Sequence, residues 1–148
     1  MFIFYFVVIF TIGFVVAFQP GLNAELAKLI DSNLWAAIIS FFVGLVVLLV
    51  YALVTQQPVS LKKLIIVPPY VFIGGALGAL FVLSIVIVFP KIGAVNAVIF
   101  TVAGQMLCST VIDHYGWFNA PLSAINWQKT AALLLMLAAI FWFQKARV

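Results

Sequence analysis

Residues 34–54 read LWAAIISFFVGLVVLLVYALV, a run without charges and almost entirely apolar. A helix that crosses about 30 Å of hydrocarbon needs roughly 20 apolar residues, so this stretch predicts a transmembrane helix. Four other stretches contain long uncharged segments, and the shortest of them relies on the long side chains of Lys129 and Lys145 to reach the headgroups. The predicted spans are about 2–24, 34–54, 67–89, 92–113 and 128–144.

The composition places the whole chain in lipid. Of the 148 residues, 68% are hydrophobic and 7% charged, and the mean hydropathy is +1.35. A soluble domain carries about 25% charged residues, and a disordered chain combines low hydrophobicity with high charge. Both classes are therefore excluded. Because the long apolar runs do not alternate like barrel strands, the predicted fold class is all-α integral membrane, with residues 1–148 forming a single five-helix domain.

Several functions are also excluded by composition. One Cys rules out a disulfide framework or a cysteine-based zinc site. The pI is near 9.5, but the seven Lys and Arg residues are scattered and form no nucleic-acid-binding patch. The sequence has no phosphate-binding glycine loop, no nucleophile elbow and a single His. We therefore expect no enzyme activity, no metal and no cofactor, which leaves transport or passive assembly.

Basic residues are divided almost evenly between the two sides of the membrane. With five spans, Lys62, Lys63 and Lys129 share a side with the N-terminus, and the other side holds Lys28, Lys91, Lys145 and Arg147. Membrane orientation follows the excess of Lys and Arg in short loops, so a difference of one basic residue between the two sides determines the orientation only weakly. One interpretation is dual topology or an oppositely oriented partner, which gives an antiparallel dimer. The other is a weakly biased insertion with the second side cytoplasmic.

Small residues recur at four-residue spacing in two spans. The third span contains Gly74 with Gly78 and Gly75 with Ala79, and the first contains Gly13 in the series continued by Ala17 and Gly21. In lipid, helices associate through small side chains that let backbones approach closely. These faces are expected to contact protein, either within the bundle or at a dimer interface.

The first span contains polar residues around a proline. Gln19 and Asn23 are four residues apart and share a helix face, with Pro20 between them. Proline removes a backbone donor and clashes with the preceding turn, so a bend here would open the helix where both amides could meet a solute. The alternative is a helix that frays near Glu25. Ser40 in the second span is a further candidate contact.

A polar stripe runs along the fourth span. Ala97, Thr101, Gln105 and Ser109 recur every four residues, and Asn96 lies beside them. Polar side chains are expensive in lipid and face protein or a water-filled cavity. Either the stripe lines a solute path through Asn96, Thr101 and Gln105, or it makes hydrogen bonds between helices.

Three titratable residues lie near the ends of spans. Asp113 and His114 close the fourth span, and Glu25 follows the first. A titratable pair at the membrane boundary could relay protons. The alternative is a solvated helix end.

Four stretches together resemble a known family: QPGLNA at 19–24, LWAAIISFFVG at 34–44, GGALGALFV at 74–82, and VAGQ at 102–105 followed by IDHYG at 112–116. They are similar to the YdcZ-type, EamA-like five-helix proteins of the drug/metabolite transporter (DMT) superfamily. Pro20 departs from the family pattern, which usually has Ala at that position.

The resemblance implies a half-transporter in the bacterial inner membrane. Larger members look like two such units fused as an inverted repeat, so two identical or paralogous chains, running antiparallel, are expected to enclose one cavity. We expect a secondary transporter or exporter of small organic solutes that works by alternating access. Neutral, zwitterionic or weakly polar solutes fit its uncharged lining, and aromatic ones if Phe18, Phe81 and Phe100 face inward. A membrane scaffold subunit and a passive channel are the alternatives.

Overall fold

The computed structural model describes residues 2–58 and 60–146, and within these ranges all regular structure is helical. The predicted all-α class is therefore confirmed. Seven α-helices follow one another: α1 (Phe2–Val16), α2 (Gln19–Leu29), α3 (Asn33–Val54), α4 (Leu61–Ile65), α5 (Ile73–Ile92), α6 (Ala94–Tyr115) and α7 (Trp127–Lys145). Two single 3₁₀ turns, Pro69–Phe72 and Trp117–Asn119, precede α5 and follow α6.

Four helical segments are long and apolar enough to cross a membrane, namely Ile3–Leu29, Asn33–Val54, Pro69–Ile92 and Ala94–Tyr115. α7 has the predicted position but carries Lys129 near its start and Lys145 at its end. Only residues 130–144 are uncharged, and at about 1.5 Å per residue they fall short of about 30 Å of hydrocarbon. A fifth crossing therefore stays a prediction.

The first span is two helices rather than one. α1 ends at Val16, and α2 begins at Gln19 with Pro20 in its first turn. The missing N–H of proline is tolerated at the start of a helix, whereas inside a continuous helix it would leave an acceptor without its donor. The helix is interrupted directly before Gln19, and a bend at Pro20 stays a prediction. The fraying alternative is wrong, because α2 continues through Glu25 to Leu29.

Other boundaries differ from the sequence prediction as well. The turn predicted around Pro90 does not begin there, because α5 runs through Pro90 to Ile92. Gly93 alone separates α5 from α6, and its φ of +79° is a conformation that glycine adopts without a Cβ penalty. The short helix α4 was not anticipated. Arg147, which entered the predicted charge balance, lies outside the described residues.

Backbone contacts divide the chain between Ala94 and Val95 into two units. In the first unit, α2 packs on α3 and α5, and α3 packs on α5. The buried core between them consists of small and β-branched residues, Ala27, Ala36, Ala37, Val82 and Val86. Small side chains let these three helices approach closely, which is how helices associate where lipid provides no hydrophobic drive.

Most apolar side chains of the first unit face outward. Along α1, every side chain from Ile3 to Val16 is exposed. None of the α1–α2 span window is buried, and only 11% of the α5 window is. Monomeric soluble proteins rarely show apolar patches of this extent, so these surfaces are suited to lipid or to a partner.

The second unit contains α6 and α7. Their polar side chains meet directly, since the Gln144 Nε2 donates to Asn96 Oδ1 over 2.5 Å. α6 ends at Gly116, which has a φ of +64°. Asn126 caps α7 by accepting a hydrogen bond on Oδ1 from the Lys129 backbone N–H over 2.9 Å, which satisfies one of the donors left open at a helix start.

Candidate functional site

The first unit contains a cavity of about 340 Å³ against the middle of α3. Its lining combines two polar side chains, Gln19 and Ser40, with the apolar residues Phe41, Gly44, Leu45 and Leu48. Gly44 leaves room in it, because a Cβ added there would meet no atom within 4 Å. The cavity is at the lower end of the size of small-molecule sites, about 300–1,000 Å³.

A second, much smaller cavity also borders Gln19. Its volume is about 10 Å³, and it is lined by Gln19, Pro20, Asn23, Phe81, Val82 and Ile85. That volume holds about one water molecule or one ligand group of similar size. Gln19 lines both cavities. The start of α2, created by the break before Pro20, gives Gln19 this position.

Asn23 is the buried polar residue of the first unit. Only 8% of it is exposed, and within residues 2–58 and 60–146 its side chain forms no hydrogen bond. Its amide oxygen and nitrogen are nevertheless not fully enclosed, since no fully buried side-chain polar atom of the described residues lacks a hydrogen-bond partner. Asn23 lies one helical turn after Gln19, so the two carboxamides share one face of α2. The predicted solute contacts Gln19, Asn23 and Ser40 therefore line two adjoining cavities.

Charged residues of the first unit gather in a different place. An open cavity of about 620 Å³ at the junction of α2 and α3 is lined by Glu25, Lys28 and Asp31, together with Ser32 and the end of α5. The predicted coupling residue Glu25 therefore belongs to this charged opening, and the lining of the two cavities beside Gln19 contains neutral residues alone.

In the second unit, the predicted stripe is divided between packing and exposure. Asn96 is occupied by its hydrogen bond to Gln144, which is the interhelical alternative. Ala97 is buried, Thr101 is half-buried and Gln105 is exposed. A solute contact at Thr101 or Gln105 stays a prediction. Gln144 was not among the predicted site residues.

Asp113 and His114 hold the loop that follows α6. The Ile125 N–H donates to His114 Nδ1 over 3.0 Å, and the Ser123 N–H donates to the Asp113 carbonyl oxygen over 2.8 Å. His114 therefore accepts on Nδ1, which requires that nitrogen to be unprotonated. A proton relay through this pair stays a prediction.

Lys129, near the start of α7, also forms hydrogen bonds to the loop between α6 and α7. Its ammonium group donates to the Ser123 carbonyl over 2.7 Å, to Ser123 Oγ over 2.6 Å and to the Ala124 carbonyl over 3.0 Å. From sequence, Lys129 was only a charge at a span end. Nothing in its spacing signals the three acceptors, because the loop must fold before they converge.

The four predicted packing glycines differ in what surrounds them. A Cβ at Gly78 would lie 3.5 Å from the Phe41 ring, so Gly78 serves contact between α5 and α3. At Gly13, Gly74 and Gly75 an added Cβ meets nothing within 4 Å. These three positions leave small-residue surface open to lipid or to another chain.

Long apolar helices, one of which carries a buried asparagine, define an integral membrane protein. Residues 4–142 match the model of a family described as "Putative inner membrane exporter, YdcZ", and the chain belongs to this DMT family. The resemblance to YdcZ-type proteins is thus confirmed, and so is the location in the inner membrane. No curated protein and no solved structure shows a significant match to the chain.

Proposed function

We propose that the chain is a secondary transporter that exports small organic solutes by alternating access. The observation that supports this most directly is the position of Gln19 in the lining of two cavities of the first unit. Transporter sites are commonly formed where a membrane helix is interrupted, and the break between α1 and α2 lies directly before Gln19. Gln19, Asn23 and Ser40 are the proposed solute contacts of the first unit, and Thr101 and Gln105 are those proposed for the second unit.

The proposed assembly is an antiparallel dimer of identical or paralogous chains. Three features support it. The Lys and Arg residues are nearly balanced between the two predicted sides. The small-residue positions Gly13, Gly74 and Gly75 have no atom of the described structure against them. Finally, the apolar surface of α1 is exposed over its whole length. A second copy would bury this surface and provide the other half of an alternating-access pathway.

A flux assay with the full-length protein in liposomes tests the proposal. Uptake of a panel of small solutes is measured at two internal pH values. We expect saturable uptake for at least one solute, reduced at least about tenfold in Gln19→Ala because a proposed hydrogen bond to the solute is lost. Gln57→Ala is the matched control, since Gln57 is exposed in the connection after α3.

The other outcomes identify the alternative functions. Flux that rises linearly with concentration and ignores Gln19→Ala would identify a passive channel. No flux for any solute, from protein that is correctly inserted, would favour a scaffold subunit. Labelling of both termini from outside tests insertion in two orientations, and labelling of one terminus alone would contradict dual topology of a single chain.

A further inference from the structure

The two cavities beside Gln19 share an uncharged lining, and this restricts what they can hold. Across both, the polar groups are the carboxamides of Gln19 and Asn23 and the hydroxyl of Ser40. An ion that leaves water for this site would meet no opposite charge to compensate for the hydration it gives up. The charged residues Glu25, Lys28 and Asp31 line a separate opening of the unit.

The hydrogen-bonding groups of a carboxamide define which solute groups can pair with it. Each has a carbonyl oxygen that accepts and an NH₂ group that donates twice. A solute group that pairs with them must itself place an acceptor beside a donor, as a primary amide, a lactam or a urea does. Asn23 is more than nine-tenths buried and has no hydrogen-bond partner in the described part of the chain. A ligand with an amide group would offer both a donor and an acceptor to these carboxamides, whereas a hydrocarbon would offer neither.

The walls of the larger cavity suit a flat apolar body. Phe41, Leu45 and Leu48 border it along one face of α3, and Gly44 leaves the α3 backbone uncovered there. The Phe41 ring is itself supported from behind by its contact with Gly78. A volume of about 340 Å³ accommodates a single ring with a short substituent better than a large multi-ring drug.

From these observations we infer that the site selects uncharged solutes in which an amide-type head is attached to a small flat apolar body. The inference rests on the proposed function and narrows it. The body occupies the cavity beside Phe41 and Gly44, and the head pairs with Gln19. Asn23, which borders the small cavity, pairs with the part of the head that reaches past Gln19. Anions and cations of the same shape are excluded because no counter-charge lines either cavity.

Three probes of nearly equal shape test this selectivity: benzamide, benzoate and benzamidinium are neutral, anionic and cationic at neutral pH. Binding of each labelled probe to the purified full-length protein is measured by equilibrium dialysis, with empty detergent micelles as the blank. Benzamide is expected to bind at least about tenfold more tightly than either ion. Equal binding of the three, or tighter binding of an ion, would overturn the inference.

Variants of Gln19 separate recognition from packing. Gln19→Leu should weaken benzamide binding at least about tenfold. Gln19→Glu should reverse the preference towards benzamidinium, because a carboxylate supplies the missing counter-charge. Gln57→Leu and Gln57→Glu are the matched controls and should leave the order unchanged. A purely structural role of Gln19 would lower all three affinities together without reversing their order, and that result would also overturn the inference.

The outcomes distinguish this inference from the proposed function. Saturable flux of other solutes, without preference for benzamide in the binding assay, would overturn the amide selectivity and leave a transporter. Selective benzamide binding that depends on Gln19, without flux of benzamide or any other solute, would support the site and overturn transport.

Discussion

Two pairs of carboxamides in this protein have opposite surroundings. In the first unit, Gln19 and Asn23 border cavities, and Asn23 is buried without a hydrogen bond to any described residue. In the second unit, Asn96 and Gln144 bond to each other between α6 and α7. Each pair lies in an apolar helical setting where an unpaired amide is expensive. The comparison teaches that residue type alone does not separate a binding group from a packing group. What separates them is whether the amide is hydrogen-bonded to another side chain of the protein.

Replacing one glutamine of each pair is the strongest way to break this comparison. Gln19→Leu should reduce saturable flux per folded molecule at least about tenfold, while the thermal midpoint stays within a few degrees. Gln144→Leu should lower the thermal midpoint and leave flux per folded molecule nearly unchanged, because the Gln144 amide bonds α7 to α6. Liposome flux and thermal unfolding in detergent measure both. A loss of flux in Gln144→Leu equal to that in Gln19→Leu would remove the distinction between the two pairs.

How far the sequence predicts this arrangement depends on the range of the interaction. α3 was predicted within one residue, since uninterrupted apolar residues and the Ser32 cap define it locally. α2 was cut short because Glu25 was taken as the end of a span, although a helix can continue beyond the hydrocarbon. A charged residue marks where the chain leaves the hydrocarbon, and it does not mark where the helix ends. The prediction treated these two positions as one.

In the candidate site, too, local features were predicted from the sequence and contacts between distant residues were not. Gln19 and Asn23 were predicted from their four-residue spacing around Pro20, which is local information. The Phe41 wall, the Gln144 bond and the loop held by Lys129 were not predicted. Each joins residues distant in sequence or unrelated by helical spacing. No periodicity signals such a pair, because the contact exists only after the helices have packed.

A second comparison is between glycines that face this chain and glycines that do not. Gly75→Leu should reduce the dimer fraction about tenfold or more, because the bulky side chain would separate closely packed backbones at the proposed interface. Gly78→Ala is the intrachain counterpart. Its added methyl would lie in ordinary contact with Phe41, 3.5 Å away, and should leave dimerisation unchanged. Crosslinking in liposomes measures the dimer, and an unaffected Gly75→Leu dimer would exclude this face as the interface.

The Asn96–Gln144 bond can be weighed directly by a double-mutant cycle. We expect Asn96→Leu and Gln144→Leu to be less than additive, with a coupling of about 0.6–1.7 kcal/mol, the range for hydrogen bonds between membrane helices. Thermal or denaturant unfolding in mixed micelles gives the four stabilities. Additive effects would mean that the two side chains are not coupled. The Asn96–Gln144 pair would then no longer differ from Gln19 and Asn23 in being used for packing.

The smallest expected effect concerns the loop between α6 and α7. Lys129→Met removes the ammonium donor to Ser123 and Ala124. Because the loop is partly exposed, water replaces much of what is lost, and we expect a local destabilisation of about 1 kcal/mol. Hydrogen exchange at the Ser123 N–H, which bonds to the Asp113 carbonyl, should then quicken about fivefold.

Lys145→Met, at the exposed end of α7, is the matched control for that measurement. It removes the same charge from the same helix without touching the loop, so exchange at Ser123 should stay at the wild-type rate. Equal acceleration in both variants would assign the effect to charge or to helix fraying. Acceleration in Lys129→Met alone, with unchanged flux, would show that polar groups of the second unit hold structure where those of the first face a cavity.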